Sequence, residues 1–198
     1  MLGDGERKTP RRLPAALLGA LLGLGAGGWC SEAQAYERQW RLGMDFGYAI
    51  AGFPEAAAAG YGGGLHLTYG LTDVFNVRLH GDVTVFDLPD PATSALIYNG
   101  ALGVEYVVDI MRWVPTLGVL VGPVHVARQD AETADGEVTE YPDRWLLGLE
   151  IPLGLGYQLS RTFTIGLEGR YRLLPFGEED SPTHNLLGFG RLEVVWGN

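Results

Sequence analysis

The chain has 198 residues, of which 46% are hydrophobic, with 30 glycines and a formal net charge of −10. That length suggests one domain. The acidic balance argues against a nucleic-acid partner, since phosphate binding needs a basic surface. No apolar run beyond the first 35 residues reaches the roughly 20 residues that a transmembrane helix needs.

The first 35 residues read as a Sec-type signal peptide. Arg7, Lys8, Arg11 and Arg12 form a basic start, Leu13 to Gly28 is apolar, and Ala33-Gln34-Ala35 offers the small-x-small cleavage pattern. Ala33 and Ala35 are therefore the expected recognition positions, and residues 36–198 the mature domain. An uncleaved anchor is the alternative, but the apolar run is short for a span. Cys30 is the sole cysteine and lies in this leader. The mature chain then has neither a disulfide nor a catalytic thiol. Removing Asp4, Glu6 and Glu32 from the 24 acids and the four leader bases from the 14 leaves 21 acids against 10 arginines, a net charge of −11.

Beyond the leader the chain alternates with a period of two, the mark of extended strands whose side chains point to opposite faces. The first strand, Gln39 to Ile50, sets Trp40, Leu42, Met44, Phe46, Tyr48 and Ile50 against Arg41, Gly43, Asp45, Gly47 and Ala49. A connection through Pro54, Glu55 and the Ala56–Ala59 run leads to a second strand, Tyr61 to Leu71. Thr72-Asp73 makes a tight turn. The third strand, Val74 to Phe86, opposes Phe75, Val77, Leu79, Val83 and Val85 to Asn76, Arg78, His80, Asp82 and Thr84. A loop over Asp87–Pro91 precedes the fourth strand, Ala95 to Val108, where Glu105 lies on the polar side. After a turn at Asp109–Met111, the fifth strand runs from Trp113 to Ala127. Gly122-Pro123 predicts a bulge there, because proline cannot donate to the ladder.

The clearest alternation comes after the long Gln129–Asp143 loop. Trp145, Leu147, Leu149, Ile151, Leu153, Leu155 and Tyr157 form one unbroken apolar set; after a break at Leu159–Thr162, Phe163, Ile165, Leu167, Gly169, Tyr171 and Leu173 resume the period. Glu150, Glu168, Arg170 and Arg172 lie on the other face. This hairpin supplies the sixth and seventh strands. An acidic loop, Pro175 to Thr183, leads to the eighth strand, Asn185 to Trp196, with Arg191 and Glu193 opposite Leu192, Val194 and Trp196.

The pattern predicts an all-β protein: an eight-stranded antiparallel up-and-down transmembrane β-barrel. The even count, the alternation of tight and long connections, and the aromatics at strand ends all fit such a barrel. So does strand length, since a spanning strand needs about 9–11 residues. Oily residues face lipid, and charges face the bore. A soluble lipocalin-like barrel would need the reverse.

On these residues the chain resembles the small eight-stranded outer-membrane barrels of the OmpA/OmpX/OmpW type. The resemblance covers nearly all of residues 36–198. It includes Arg191-Leu-Glu-Val-Val-Trp196, which looks like the aromatic-ended signal read by the barrel assembly machinery, except that Gly197 and Asn198 follow it. It implies a Gram-negative outer-membrane location, with outer-membrane lipid and lipopolysaccharide as surroundings. A monomer is expected.

The predicted bore holds Arg41, Asp45, Arg78, Asp82, Glu105, Glu150, Glu168, Arg170, Arg172, Arg191 and Glu193, together with His66 and His80. An eight-stranded bore is just wide enough for side chains to fill it, so a structural ion-pair network is the expectation. A narrow polar pore is the alternative. Twelve of the 21 mature acids fall on the longer loops, which admits divalent-cation bridging to lipopolysaccharide. The loops lack the spacing of a calcium loop, and neither a resident metal nor a cofactor is expected. A rim enzyme acting on lipid A would draw on His125 or His184 as base and Ser94 or Ser181 as nucleophile, but no spacing brings these together. The expected role is a non-enzymatic structural or adhesion-like surface protein.

Overall fold

In the computed structural model, every strand of the barrel finds partners on both sides. The structure describes residues 37–52, 57–88, 93–128, 131–132, 138–139, 143–175 and 182–197. The strands in chain order are β1 (Gln39–Gly52), β2 (Ala57–Gly70), β3 (Phe75–Leu88), β4 (Thr93–Val107), β5 (Trp113–Arg128), β6 (Ala131–Glu132), β7 (Val138–Thr139), β8 (Arg144–Ser160), β9 (Phe163–Leu173) and β10 (His184–Gly197). Eight of them close a barrel in the order β1-β10-β9-β8-β5-β4-β3-β2. The short β6 and β7 pair only with each other.

Closure rests on β1 pairing with β10 from Gln39↔Gly197 to Gly52↔His184. The described ends of the chain therefore lie at the same end as the tight turns after β2, β4 and β8. Closure leaves no unpaired sheet edge, which a lipid environment requires because it offers backbone groups no other partner. Among the described residues no helix is long and apolar enough to cross a membrane.

The orientation of the faces is unambiguous. Leu167 is 72% exposed and Val194 48%, whereas Glu168 and Arg170 are 2% and 0%. Along β10 the burial alternates residue by residue. The outer surface is thus oily and the interior ionic, the arrangement of a membrane barrel. Cross-strand aromatic pairs ring the end that carries the termini: Trp40–Tyr69 with centroids 4.6 Å apart, Phe75–Tyr106 at 5.5 Å and Trp113–Tyr157 at 5.0 Å. Such rings suit the membrane–water interface, where one end of the side chain is apolar and the other wet.

Three sequence expectations need correction. First, Gly122-Pro123 makes no bulge. The β4–β5 register is the same on both sides of it, Asn99↔Val124 and Leu102↔Val121. Pro123 breaks the local rungs opposite Gly100 and Ala101 but leaves the alternation intact. Pro152 does the same on the β5–β8 seam, where the ladder skips Gly118 and Val119. The register shift that does occur lies at Gln158/Ser160, between β8 and β9. Second, Ala57–Gly60 belongs to β2 rather than to a connection. Alanine and glycine are weak strand formers, but pairing with β1 on one side and β3 on the other imposes the extended backbone. Third, β3 runs on to Leu88 and β4 starts at Thr93, so the intervening loop is shorter than the acid- and proline-rich composition indicates.

Candidate functional site

The strand alternation that turns oily residues outward delivers every intervening side chain to the bore. All eleven charged residues named from the sequence lie there. Arg41, Asp45, Arg78, Asp82, Glu105, Glu150, Glu168, Arg170, Arg172, Arg191 and Glu193 are each at most 5% exposed. An isolated buried charge is costly, so what matters is how each is paired.

Glu168 on β9 is the hub. Arg78 grips it with two parallel donors, Nη1 to Oε2 at 2.6 Å and Nη2 to Oε1 at 2.9 Å. This is the fork geometry that makes guanidinium–carboxylate pairs strong. Arg191 Nη1 donates to the same carboxylate at 2.7 Å, and Arg170 Nε donates to it from the same strand. Arg78 also donates to Glu105 Oε2 at 3.0 Å, and Arg41 reaches Glu105 Oε1 at 3.5 Å. Arg191 Nη2 donates in turn to Glu193.

A second knot lies toward the loop end. Arg172 donates to both oxygens of Asp82, at 3.0 and 2.8 Å, and to Glu150 Oε2 at 3.0 Å. Asn99 Nδ2 donates to Asp82 Oδ2 at 2.9 Å. Arg170 joins the two knots: its Nη2 donates to Asp45 Oδ2 at 2.5 Å on the Glu168 side, and its guanidinium lies 3.9 Å from both Asp82 Oδ2 and Glu150 Oε1. Six carboxylates thus face five guanidinium groups. His66 lies between two of those carboxylates, with Nδ1 3.0 Å from Asp45 Oδ2 and Nε2 2.8 Å from Glu193 Oε1. Ionised carboxylates only accept, and only an imidazolium donates from both nitrogens. Gly43 makes room for the His66 ring; a Cβ at that position would overlap it.

His80, Asp82 and Glu150 offer three possible metal-ligand atoms within 4.8 Å of one another. Arg172, bonded to both carboxylates, already occupies that negative site. The Asn99 amide nitrogen lies 2.8 Å from His80 Nε2. These neighbours supply the charge and donors that a cation would otherwise supply.

An apolar layer, which sequence reasoning missed, closes the bore toward the long loops. Ala49, Ala51, Ala58, Phe86, Ala95, Ile97, Val124, Val126, Leu146, Leu174, Leu187 and Phe189 form one buried cluster. Arg170 lies 4.6 Å from the centre of the Phe189 ring, so a cation–π contact joins the ionic and apolar layers. At the opposite end Val107 and Val114 pack together inside. The sequence signal for the upper layer is weak: runs such as Leu146-Leu147 and Leu186-Leu187 put apolar residues on both faces.

His125 and His184, considered as rim bases, lie on separate strands, β5 and β10. His125 points outward, 4.6 Å from the Trp145 ring and 6.0 Å from Tyr98, with Nε2 3.7 Å from Asp143 Oδ2. His184 Nδ1 lies 3.0 Å from Thr183 Oγ1, and its ring is 6.1 Å from Tyr171. Ser94 pairs with Asp87 across β3–β4. Ser181, Ala33 and Ala35 lie outside the described residues. Trp196, next to last in β10, lies on the outer face, 45% exposed and registered with Trp40.

A closed eight-stranded antiparallel barrel, oily outside and ionic within, is the fold of the small outer-membrane barrels of the OmpA/OmpX/OmpW-like type, and this chain has it. No protein-family model and no curated relative matches it in sequence. Solved structures do match in shape. Neisserial surface protein A superposes with a TM-score of 0.58 at 16% identity, covering 79% of this chain and 95% of its own. The outer-membrane protein OprG from Pseudomonas aeruginosa gives 0.57 at 12%, covering 85% and 100%. Ail, the attachment invasion locus protein of Yersinia pestis, solved with the heparin analogue sucrose octasulfate, gives 0.55 at 12%, covering 81% and 99%.

Proposed function

We propose that this chain is an exported outer-membrane protein of a Gram-negative envelope. In this reading it is a closed, non-enzymatic barrel that holds surface loops in place for contact with the cell's surroundings. The observation that carries the reading is the bore: a bonded ionic network under an apolar layer leaves little room for a solute path. The narrow-pore alternative would need both layers to part. The lipid A enzyme alternative is disfavoured by His125, which is engaged with Tyr98, Trp145 and Asp143 on the lipid-facing side.

In this reading contact falls to the loops after β1, β3, β5 and β9. Those loops and strand ends carry most of the mature acids, among them Asp87 and Asp143. A polyanion of the kind seen with Ail would be repelled. A cationic surface, or lipopolysaccharide bridged by divalent cations, suits the charge better. Trp196 serves the assembly machinery, and the barrel works as a monomer. The test is to reconstitute the full-length mature protein in planar bilayers and, separately, to compare lipid A masses from cells with and without it. The reading expects no conductance steps and unchanged lipid A. Steady unitary conductance, or a shifted lipid A mass, would overturn it.

A further inference from the structure

The outer surface is not uniformly smooth. Between β5, β8 and β9, near the end that carries the termini, lies a groove of about 580 Å³ lined by Trp113, Leu155, Tyr157, Ile165, Gly166 and Leu167. Two successive outward rungs build it. Trp113 registers with Tyr157 and Tyr157 with Ile165, while Leu155 registers with Leu167. The lining is apolar, and its aromatic rung lies nearest the membrane edge.

Two arginines flank the edge of this groove. Arg112 immediately precedes Trp113, and its carbonyl accepts from Gln158 N at 2.8 Å, which docks the β4–β5 turn against the end of β8. Arg161 is exposed in the turn between β8 and β9. Neither has an ion-pair partner among the described residues. The remaining tight turn, Leu71–Val74, carries Asp73 and no base, and Arg38 lies 3.7 Å from Glu37. The arginines without an ion pair at this end thus gather beneath the groove, with Asp109 the one acid in the same β4–β5 turn as Arg112.

We infer that the groove and the two arginines form a binding site for one anionic phospholipid of the leaflet at the termini end. An acyl chain lies along Leu155 and Leu167, and the phosphate sits between Arg112 and Arg161. The chemistry is complementary at both ends. Apolar surface takes the chain, and guanidinium groups bind phosphate with charge-assisted hydrogen bonds. The inference rests on the membrane-barrel reading above.

The test uses the full mature chain in nanodiscs, with Trp40, Trp145 and Trp196 replaced by phenylalanine so that Trp113 reports alone. Acyl-brominated phosphatidylglycerol or acyl-brominated phosphatidylcholine is mixed into unbrominated phosphatidylcholine. Preferential quenching of Trp113 by the anionic lipid is expected. Arg112→Gln with Arg161→Gln should weaken that preference by about fivefold for each arginine lost, on the usual strength of a basic residue near an anionic membrane surface. Ile165→Trp fills the groove and should abolish the preference while leaving the arginines in place; its readout is brominated-lipid retention by mass spectrometry. Heat-modifiable migration checks folding of every variant. Equal quenching by the two lipids, or a preference untouched by the double substitution, would overturn the site while leaving the barrel intact. Absence of quenching by either lipid would instead contradict the membrane barrel itself.

Discussion

Glu168 accepts from three arginines on three strands, Arg78, Arg170 and Arg191. Removing its charge leaves three buried cations around one amide, each keeping only its other hydrogen-bonded carboxylate, Glu105, Asp45 or Glu193. Glu168→Gln should therefore cost about 3–5 kcal/mol, the usual penalty for breaking one side of a buried ion pair. Urea unfolding in lipid vesicles would measure it; a loss below about 1 kcal/mol would mean that the bore is wet enough to screen the charges. Asp109 behaves differently. It sits in the β4–β5 turn, outside the spanning segments, and burial raises its pKa above the ordinary carboxyl value. A raised folded-state value favours the protonated form, so Asp109 loses stability for the fold as pH climbs through that value. Asp109→Asn should raise stability at neutral pH, and the gain should vanish in acid below the ordinary carboxyl range. A gain constant with pH would contradict this cause.

The strands show how much alternation alone can carry. Leu102 on β4 faces outward, 53% exposed, registered with Leu79 and Val121 on the neighbouring strands. Leu102→Arg would place a cation in hydrocarbon and should cost about 2–4 kcal/mol at the midplane. The same unfolding assay reads it, and a neutral result would mean that this face meets water. The β8–β9 hairpin was legible residue by residue because its polar partners, Glu150, Glu168, Arg170 and Arg172, contrast sharply with their apolar neighbours. Strand β5 was harder. Val124, His125 and Val126 offer little contrast, and Pro123 signals a break that the barrel absorbs as lost rungs. In a closed sheet, pairing on both sides holds the register across a missing donor.

At the scale of the whole molecule, the longest strands outrun the membrane. A 17-residue strand such as β8, tilted near 45°, projects about 40 Å against a hydrocarbon core of ~30 Å. The excess lifts the loop ends clear of the lipid, which suits a platform for surface contact. The two interior layers also act in series. Phe86→Ala with Phe189→Ala thins the apolar layer and removes the cation–π contact on Arg170 but leaves every ion pair in place, so bilayer recordings should stay silent. Adding Glu168→Gln loosens both layers, and brief, irregular openings are then expected. Conductance from the double alanine variant alone would show that the ionic network does not block the bore.

Period-two alternation by itself determined the strand count, the outward and inward faces, and the membership of the charged bore, because a strand has only two faces and lipid tolerates only one of them. Which arginine meets which carboxylate depended on shear and closure: Arg78 and Glu168 lie 90 residues apart and meet only across the bore. The apolar layer above them, and the groove with Arg112 and Arg161 at its edge, likewise came from the tertiary structure. Each brings together residues from strands that sequence order separates, and only the closed barrel sets their height along the axis.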